Sequence, residues 1–257
     1  MFQGIYRGTK KHQPDLEVVL KRSWEAGMEK MIVTVGELSD VEEVAKIVEK
    51  DDRLVMTVGC HPMNCGQFVA DPEKYFMDLK ASIEKYRNKV VAAGEMGLDY
   101  YLEEYCEREC QKKYFEKQIE LMEIFDLPVF LHCRDSYKDF MAILERNMEK
   151  ISHGGVVHSF DGSLEEANRL IDMGFYLGLT GCSMKTEEQL KVVKAIPIER
   201  IMIETDAPWC SIRSSYAAAK YVKTNFSTAK KKEKWSPDLL IDGRCEPVQI
   251  LYVGYFN

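Results

Sequence analysis

Four apolar runs in this chain each close on a residue that can hold a metal or move a proton. VVAAGE ends on Glu95, PVFLHC carries His132, GGVVHS carries His158, and IMIETD ends on Glu204, Thr205 and Asp206 before Pro208 stops the pairing. One glutamate, one aspartate and two histidines form a hard oxygen-and-nitrogen donor set without thiolate, suited to Zn, Mn or Mg in a hydrolytic centre. Any one of them alone also reads as a polar strand end capping the helix that follows. As a set they read as one site, provided that the fold brings the strand ends to one mouth.

Other residues stand beside these four. His61, in VGCHPMNCG, also ends an apolar run; it reads as a ligand, a phosphate contact or a hydrogen-bonded wall residue. Arg134 and Asp135 follow His132 directly and suit phosphate binding or the orienting of a ligand, with an ion pair at the rim as the plain alternative. Asp99 in GLDYY reads either as a residue of the site or as a turn former. Cys60 with Cys65 and Cys106 with Cys110 lack the paired spacing of a structural zinc site and read as ordinary thiols. His12 and His153 fall in loop contexts and read as surface histidines. Lys230, Lys231, Lys232 and Lys234, next to Trp235, would suit a phosphate backbone with one aromatic to stack a base, or simply a solvated face.

The elements that must position these residues alternate. After a loop over MFQGIYRGTKKHQPD, helical spacing begins at Asp15, the expected N-cap, and stops at Gly27. Strands are expected at 31–36, 54–59, 90–95, 128–133, in GGVVHS, in FYLGLT and in IMIETD, each preceded by a helix. The intervening helices are placed at about Asp40 to Lys50, Pro72 to Arg87, Gln111 to Phe125, Ser136 to Met148, Leu164 to Met173 and Glu187 to Ala195. Such alternation implies right-handed crossovers and a parallel sheet. The expected fold is therefore α/β, a (β/α)8 TIM-type barrel that lacks its first strand. Residues 1–257 are expected to form one domain, incomplete at both ends, with an unusual terminus at LYVGYFN.

Composition bounds the class. A chain of 257 residues, 46% of them hydrophobic, is long enough for one large core. The formal charge of -7 argues against a generally basic nucleic-acid coat. Eight scattered cysteines with no leader ahead of them point to reduced thiols in a nuclear or cytoplasmic, non-secreted protein. No apolar run approaches the ~18–20 residues of a membrane span.

At GEMGLDYY, LHCRDS, VVHSFDGS and ETDAPW the chain resembles the TatD family of metal-dependent deoxyribonucleases, in particular its eukaryotic branch. The resemblance implies a barrel of the metal-dependent hydrolase kind and hydrolysis of DNA phosphodiesters, often as a 3'-5' exonuclease, with two divalent ions (Mg, Mn or Zn) activating water. It implies Glu95 as the bridge between the ions, His132 and His158 as ligands, and Asp206 as a ligand that helps activate water; Glu95 and Asp206 are then the catalytic pair. His61 and Arg134 become substrate contacts, and DNA the partner. Family members usually open with a strand carrying an Asp-x-His or Asp-x-Gly-x-Asn type motif, and this chain is expected to be impaired without it. Amide or ester hydrolysis on the same kind of barrel, or a non-catalytic remnant that binds nucleic acid or a partner, are the alternative readings.

Overall fold

The computed structural model describes residues 1–254; the last three residues of the LYVGYFN terminus lie outside the described residues. A two-residue hairpin of β1 (Ile5–Tyr6) and β2 (Thr9–Lys10) comes first, inside what the sequence suggests is a plain loop. Helix α1 (Leu16–Glu25) follows. Strand and helix then alternate: β3 (Met31–Val33), α2 (Val41–Val48), β4 (Leu54–Val58), α3 (Pro72–Lys85), β5 (Val90–Asp99), α4 (Arg108–Phe125) and β6 (Val129–Arg134). The series continues through α5 (Tyr137–Asn147), β7 (Gly155–His158), α6 (Leu164–Asp172), β8 (Tyr176–Leu179), α7 (Glu187–Ala195) and β9 (Ile201–Ile203). A short pair, β10 (Thr228–Ala229) with β11 (Leu240–Ile241), and helix α8 (Ile250–Val253) complete the order. The strands β3 to β9 number seven, as expected from the apolar runs and one fewer than a closed barrel of eight.

The chain falls into two compact units. One holds residues 30–158 with 172–176. In it β3, β4, β5, β6 and β7 pair in chain order, every neighbour parallel. Strands buried on both faces must be apolar almost throughout, and Met56, Val58, Ala93, Met96, Leu98 and Leu131 are sealed from solvent. Helix α4 lays Phe115, Ile119, Leu121 and Met122 into the same core. Each such large side chain contributes roughly 1.5–3 kcal/mol. The helices start where their caps dictate: Pro72 occupies the first turn of α3 while the Asp71 carboxylate accepts the Lys74 N–H at 3.0 Å.

The other unit holds residues 1–29, 159–171 and everything from Leu177 on. Here β8 and β9 pair parallel, Leu177 opposite Ile201 and Leu179 opposite Ile203. The hairpin and the β10–β11 pair share a small core of Tyr6, Ala229 and Ile241, with Met1, Trp235 and Leu239 packed on it. Asp15 occupies the N-cap position of α1, as expected, yet its side chain caps nothing. Its carboxylate instead takes both ends of the Arg244 guanidinium, at 2.9 and 2.7 Å, and the Trp235 indole N–H at 2.9 Å. Arg244 also reaches Glu246 at 2.7 Å, and Arg22 grips the second oxygen of Glu246. The side chains of Arg244 and Glu246 are wholly buried.

Two strands pair on one side only. Among the described residues β3 has β4 alone and β9 has β8 alone. Their outward residues are correspondingly exposed, Ile32 at 42% and Ile203 at 47%. Unpaired backbone beside exposed aliphatics is a template for association.

The Arg244 network sets a first prediction. Replacing Arg244 by Met leaves Asp15 and Glu246 as buried charges that share too few cations. The expected loss is about 3–5 kcal/mol of stability, because a broken buried pair strands its partner. Urea unfolding of the two proteins, followed by circular dichroism, measures it.

Candidate metal centre

The ladder between β5 and β6 builds the site. Ala93 stands opposite Val129 and Met96 opposite Leu131, so β5 carries one residue more than β6 over that interval. A bulge of this kind turns a side chain out of the regular alternation, and it falls at Gly94 and Glu95. Beyond it the ladder continues with Gly97 opposite His132, where a Cβ would lie 1.9 Å from the His132 carbonyl oxygen, so only glycine fits. Strand β5 therefore runs on to Asp99 instead of stopping at Glu95. The turn reading of GLDYY is corrected accordingly: Asp99 ends β5, with its carboxylate 3.0 Å from His132 Nε2.

Neighbouring parallel strands in register present their side chains side by side, and His132 pairs with His158 between β6 and β7. Glu95, His132 and His158 place their ligand atoms within 4.8 Å of one another. The Glu95 Oε1 lies 2.8 Å from His132 Nδ1 and 3.7 Å from His158 Nε2. His61 joins from the end of β4, its Nε2 3.7 Å from the same oxygen. Two nitrogens and a carboxylate oxygen at this spacing, almost enclosed, could hold a metal ion. His61, Asp99 and His132 form a second such group that shares His132.

Electrostatics separate these groups. Burial pushes the Glu95 carboxyl up, but His158, the His132 hydrogen bond and His61 together outweigh it and hold the group far below the usual carboxylate range. Burial favours the neutral His132 ring, yet the hydrogen bonds to Asp99 and Glu95 prevail and raise its pKa. For His61 burial wins over the attraction of Glu95, and its pKa falls to about 4. His61 Nδ1 accepts the Met63 N–H at 3.2 Å. A neutral ring that accepts at Nδ1 carries its proton on Nε2, so His61 offers the site a donor.

Arg134, a substrate contact by expectation, is committed on one edge. Its Nε and Nη2 donate to the two oxygens of Asp99 at 2.9 and 2.7 Å, and its guanidinium lies 4.6 Å from the Tyr101 ring centroid. The side chain stays 40% exposed. Asp206 belongs to the other unit, just past β9, where it has a positive φ of 50° and accepts the Cys210 thiol at 3.1 Å. Glu204 in that unit accepts the Ser159 N–H at 2.9 Å and so ties down the residue after His158. Trp235 is not held out for a base: besides its bond to Asp15 it stacks on His12 at 5.7 Å.

Sequence reading passed over the two glutamines of α4. Gln111 and Gln118, both fully buried, stand seven positions apart on the packed face of the helix. Gln111 accepts the Asp99 N–H at 2.8 Å and donates to the Asp99 carbonyl at 2.9 Å. Gln118 does the same for Cys60, at 2.7 and 3.1 Å, directly before His61. The available signal was two amides at core positions of an otherwise apolar face.

A family model described as "TatD related DNase" matches residues 8–242. "Deoxyribonuclease Tat-D" of Schizosaccharomyces pombe is 41% identical over 99% of this chain and 83% of its own length. The "3'-5' ssDNA/RNA exonuclease TatD" of Escherichia coli is 31% identical over 80% of this chain and 78% of its own. Among solved structures, a hydrolase TatD family protein from Entamoeba histolytica superposes with a TM-score of 0.92 at 34% identity, covering 99% of this chain and 85% of that one. The agreement bears out the parallel α/β, barrel-type class expected from the sequence.

Metal uptake at this cluster must displace the His132 proton. Because that pKa is raised, protons compete at low pH, and affinity for Zn or Mn should climb as pH rises through the titration of the ring. Calorimetric titrations between pH 5.5 and 8 should show the climb together with proton release. Glu95→Gln should weaken binding by more than the ~10–100-fold typical of an outer partner.

Proposed function

This chain belongs to the TatD-related DNase family, and from that premise we propose that it is a metal-dependent deoxyribonuclease that trims DNA from the 3' end. The observation that carries the reading is the convergence of Glu95, His132 and His158 within 4.8 Å. One family match spanning residues of both units supports a single hydrolase domain.

Divalent ions, Mg, Mn or Zn and two in number, would supply Lewis-acid activation of water and charge neutralisation at the scissile phosphate. The protein's own residues have separable tasks in this reading. Glu95 holds its negative charge at any working pH and serves as the shared carboxylate ligand. His132 and His158 add nitrogens from adjacent strands. Asp206 keeps the ligand and water-activating role that the family resemblance implies. His61, neutral and protonated on Nε2, donates to a phosphate oxygen or to the departing oxygen. Arg134 turns its half-exposed edge to the phosphate backbone while its other edge stays on Asp99.

A weakened enzyme is the second reading, and a specific feature favours it. The second donor group leans on Asp99, a carboxylate already spent on Arg134. One ion is then held well and the next poorly, with turnover below that of relatives under limiting metal. Placement in the nucleus or cytoplasm fits the thiols, since none of the eight cysteines, all among the described residues, forms a disulfide.

Single-stranded DNA labelled at its 3' end, incubated with the chain and excess Mn or Mg, should lose the label stepwise and stop doing so with chelator. Asp206→Asn should cut the rate on the order of 10²-fold or more, the range of a positioned proton acceptor. Turnover of an amide or carboxylic ester panel with no DNA cleavage would replace the nuclease reading with the rival hydrolase. Full activity in Asp206→Asn would remove that carboxylate from the chemistry.

A further inference from the structure

Asp99 has the geometry of a residue that works through another. Its side chain is fully buried and every oxygen is used: Oδ1 takes Arg134 Nε at 2.9 Å, while Oδ2 takes Arg134 Nη2 at 2.7 Å and His132 Nε2 at 3.0 Å. Its backbone is fastened as well, since the side-chain amide of Gln111 bonds both the N–H and the carbonyl of Asp99. His132 thus stands between two carboxylates, Asp99 on Nε2 and Glu95 on Nδ1.

We propose that Asp99 is a positioning residue: by accepting the Nε2 proton of His132 it fixes the ring and reserves Nδ1, the nitrogen facing Glu95, for a metal ion. The proposal rests on the metal-site reading above. The rival role, Asp99 as a ligand in the group with His61, suits the geometry less. A guanidinium with two bonds to the carboxylate is a fixed positive charge where a second cation would have to sit. Arg134 is therefore the clamp that keeps Asp99 ionised and aimed, and the Tyr101 ring at 4.6 Å covers the outer face of that clamp. A histidine that ligates through one nitrogen and donates through the other to a carboxylate gains both a fixed tautomer and a more basic ligand atom.

Asp99→Asn tests this with little change in volume. Both carboxylate oxygens face donors, so an amide NH₂ at either position must meet one head-on. Two readouts on the full chain are used, calorimetric titration with Zn alone and ¹⁵N NMR of the histidine ring nitrogens. The wild type should show, with zinc, a His132 ring protonated on Nε2 and metal-bound through Nδ1. In Asp99→Asn zinc affinity should fall ~10–100-fold and the ring signature should change or become mixed. Arg134→Met, which keeps the apolar stem and removes both guanidinium bonds to Asp99, should move both readouts in the same direction by less, with circular dichroism confirming that the variant is folded. Wild-type zinc affinity and an unchanged ring signature in Asp99→Asn would overturn the proposal. So would Arg134→Met that raises KM for DNA and leaves zinc binding untouched, since that result assigns Arg134 to substrate alone. A wild type that binds zinc with the expected ring signature and cleaves no DNA would sink the nuclease reading while leaving Asp99 in its role.

Discussion

A carboxylate with almost no water around it is the constraint on which the site depends. Glu95 retains 12% of its side-chain exposure and still carries its charge, because three imidazoles face it. Alone in such a place it would take up a proton or withdraw the strand toward solvent. The surrounding architecture serves this one grouping. The bulge in β5 turns Glu95 inward, the glycine after it lets β6 approach, and the in-register pairing of His132 with His158 sets two nitrogens on one side.

Helix α4 supplies the rest of the order, and it does so with two kinds of residue on one face. Its apolar members fill the core, while Gln111 and Gln118 hold strand ends by their backbones. A buried amide with both its groups paired costs little and specifies much, since a shift of the helix by one residue would break four hydrogen bonds at once. Asp99 and the residue before His61 are thereby fixed relative to one rigid element, not left to loop flexibility. Two of the groups that face the metal-site residues share this common anchor.

Most of this architecture was legible in the sequence where a single physical signal dominated. Continuous apolar runs marked all seven parallel strands, because a strand buried on both faces has no room for polar residues. His132 and His158 were marked by the same rule, as the polar ends of such runs, and the strands bring them into one cluster with Glu95. The continuation of β5 through Gly97 to Asp99 was not, since glycine weakens a strand pattern and its purpose, close approach to the His132 backbone, exists only in three dimensions. Asp15 shows the opposite failure. It sits where a capping residue belongs, but an arginine 229 residues away competes for its carboxylate and wins. The hairpin at Ile5–Tyr6 and the β10–β11 pair escaped because two-residue ladders carry no periodicity to read.

The charge networks around Arg244 and around Glu95 are both largely buried and differ in what they leave open. Asp15 and Glu246 face Arg22 and Arg244, two carboxylates against two guanidiniums that never titrate near neutral pH, so their charge is closed, although the Arg244 Nε stays buried without a hydrogen-bond partner. Glu95 faces imidazoles, whose charge is conditional, and His61 is driven neutral by its own burial. When the rings are neutral, the carboxylate is compensated by dipoles alone and the cluster attracts a cation. Asp99 lies at the boundary between these two regimes, with Arg134 on one side and His132 on the other. In the proposed metal site it would pass a permanent charge balance to a ring that exchanges a proton for a metal.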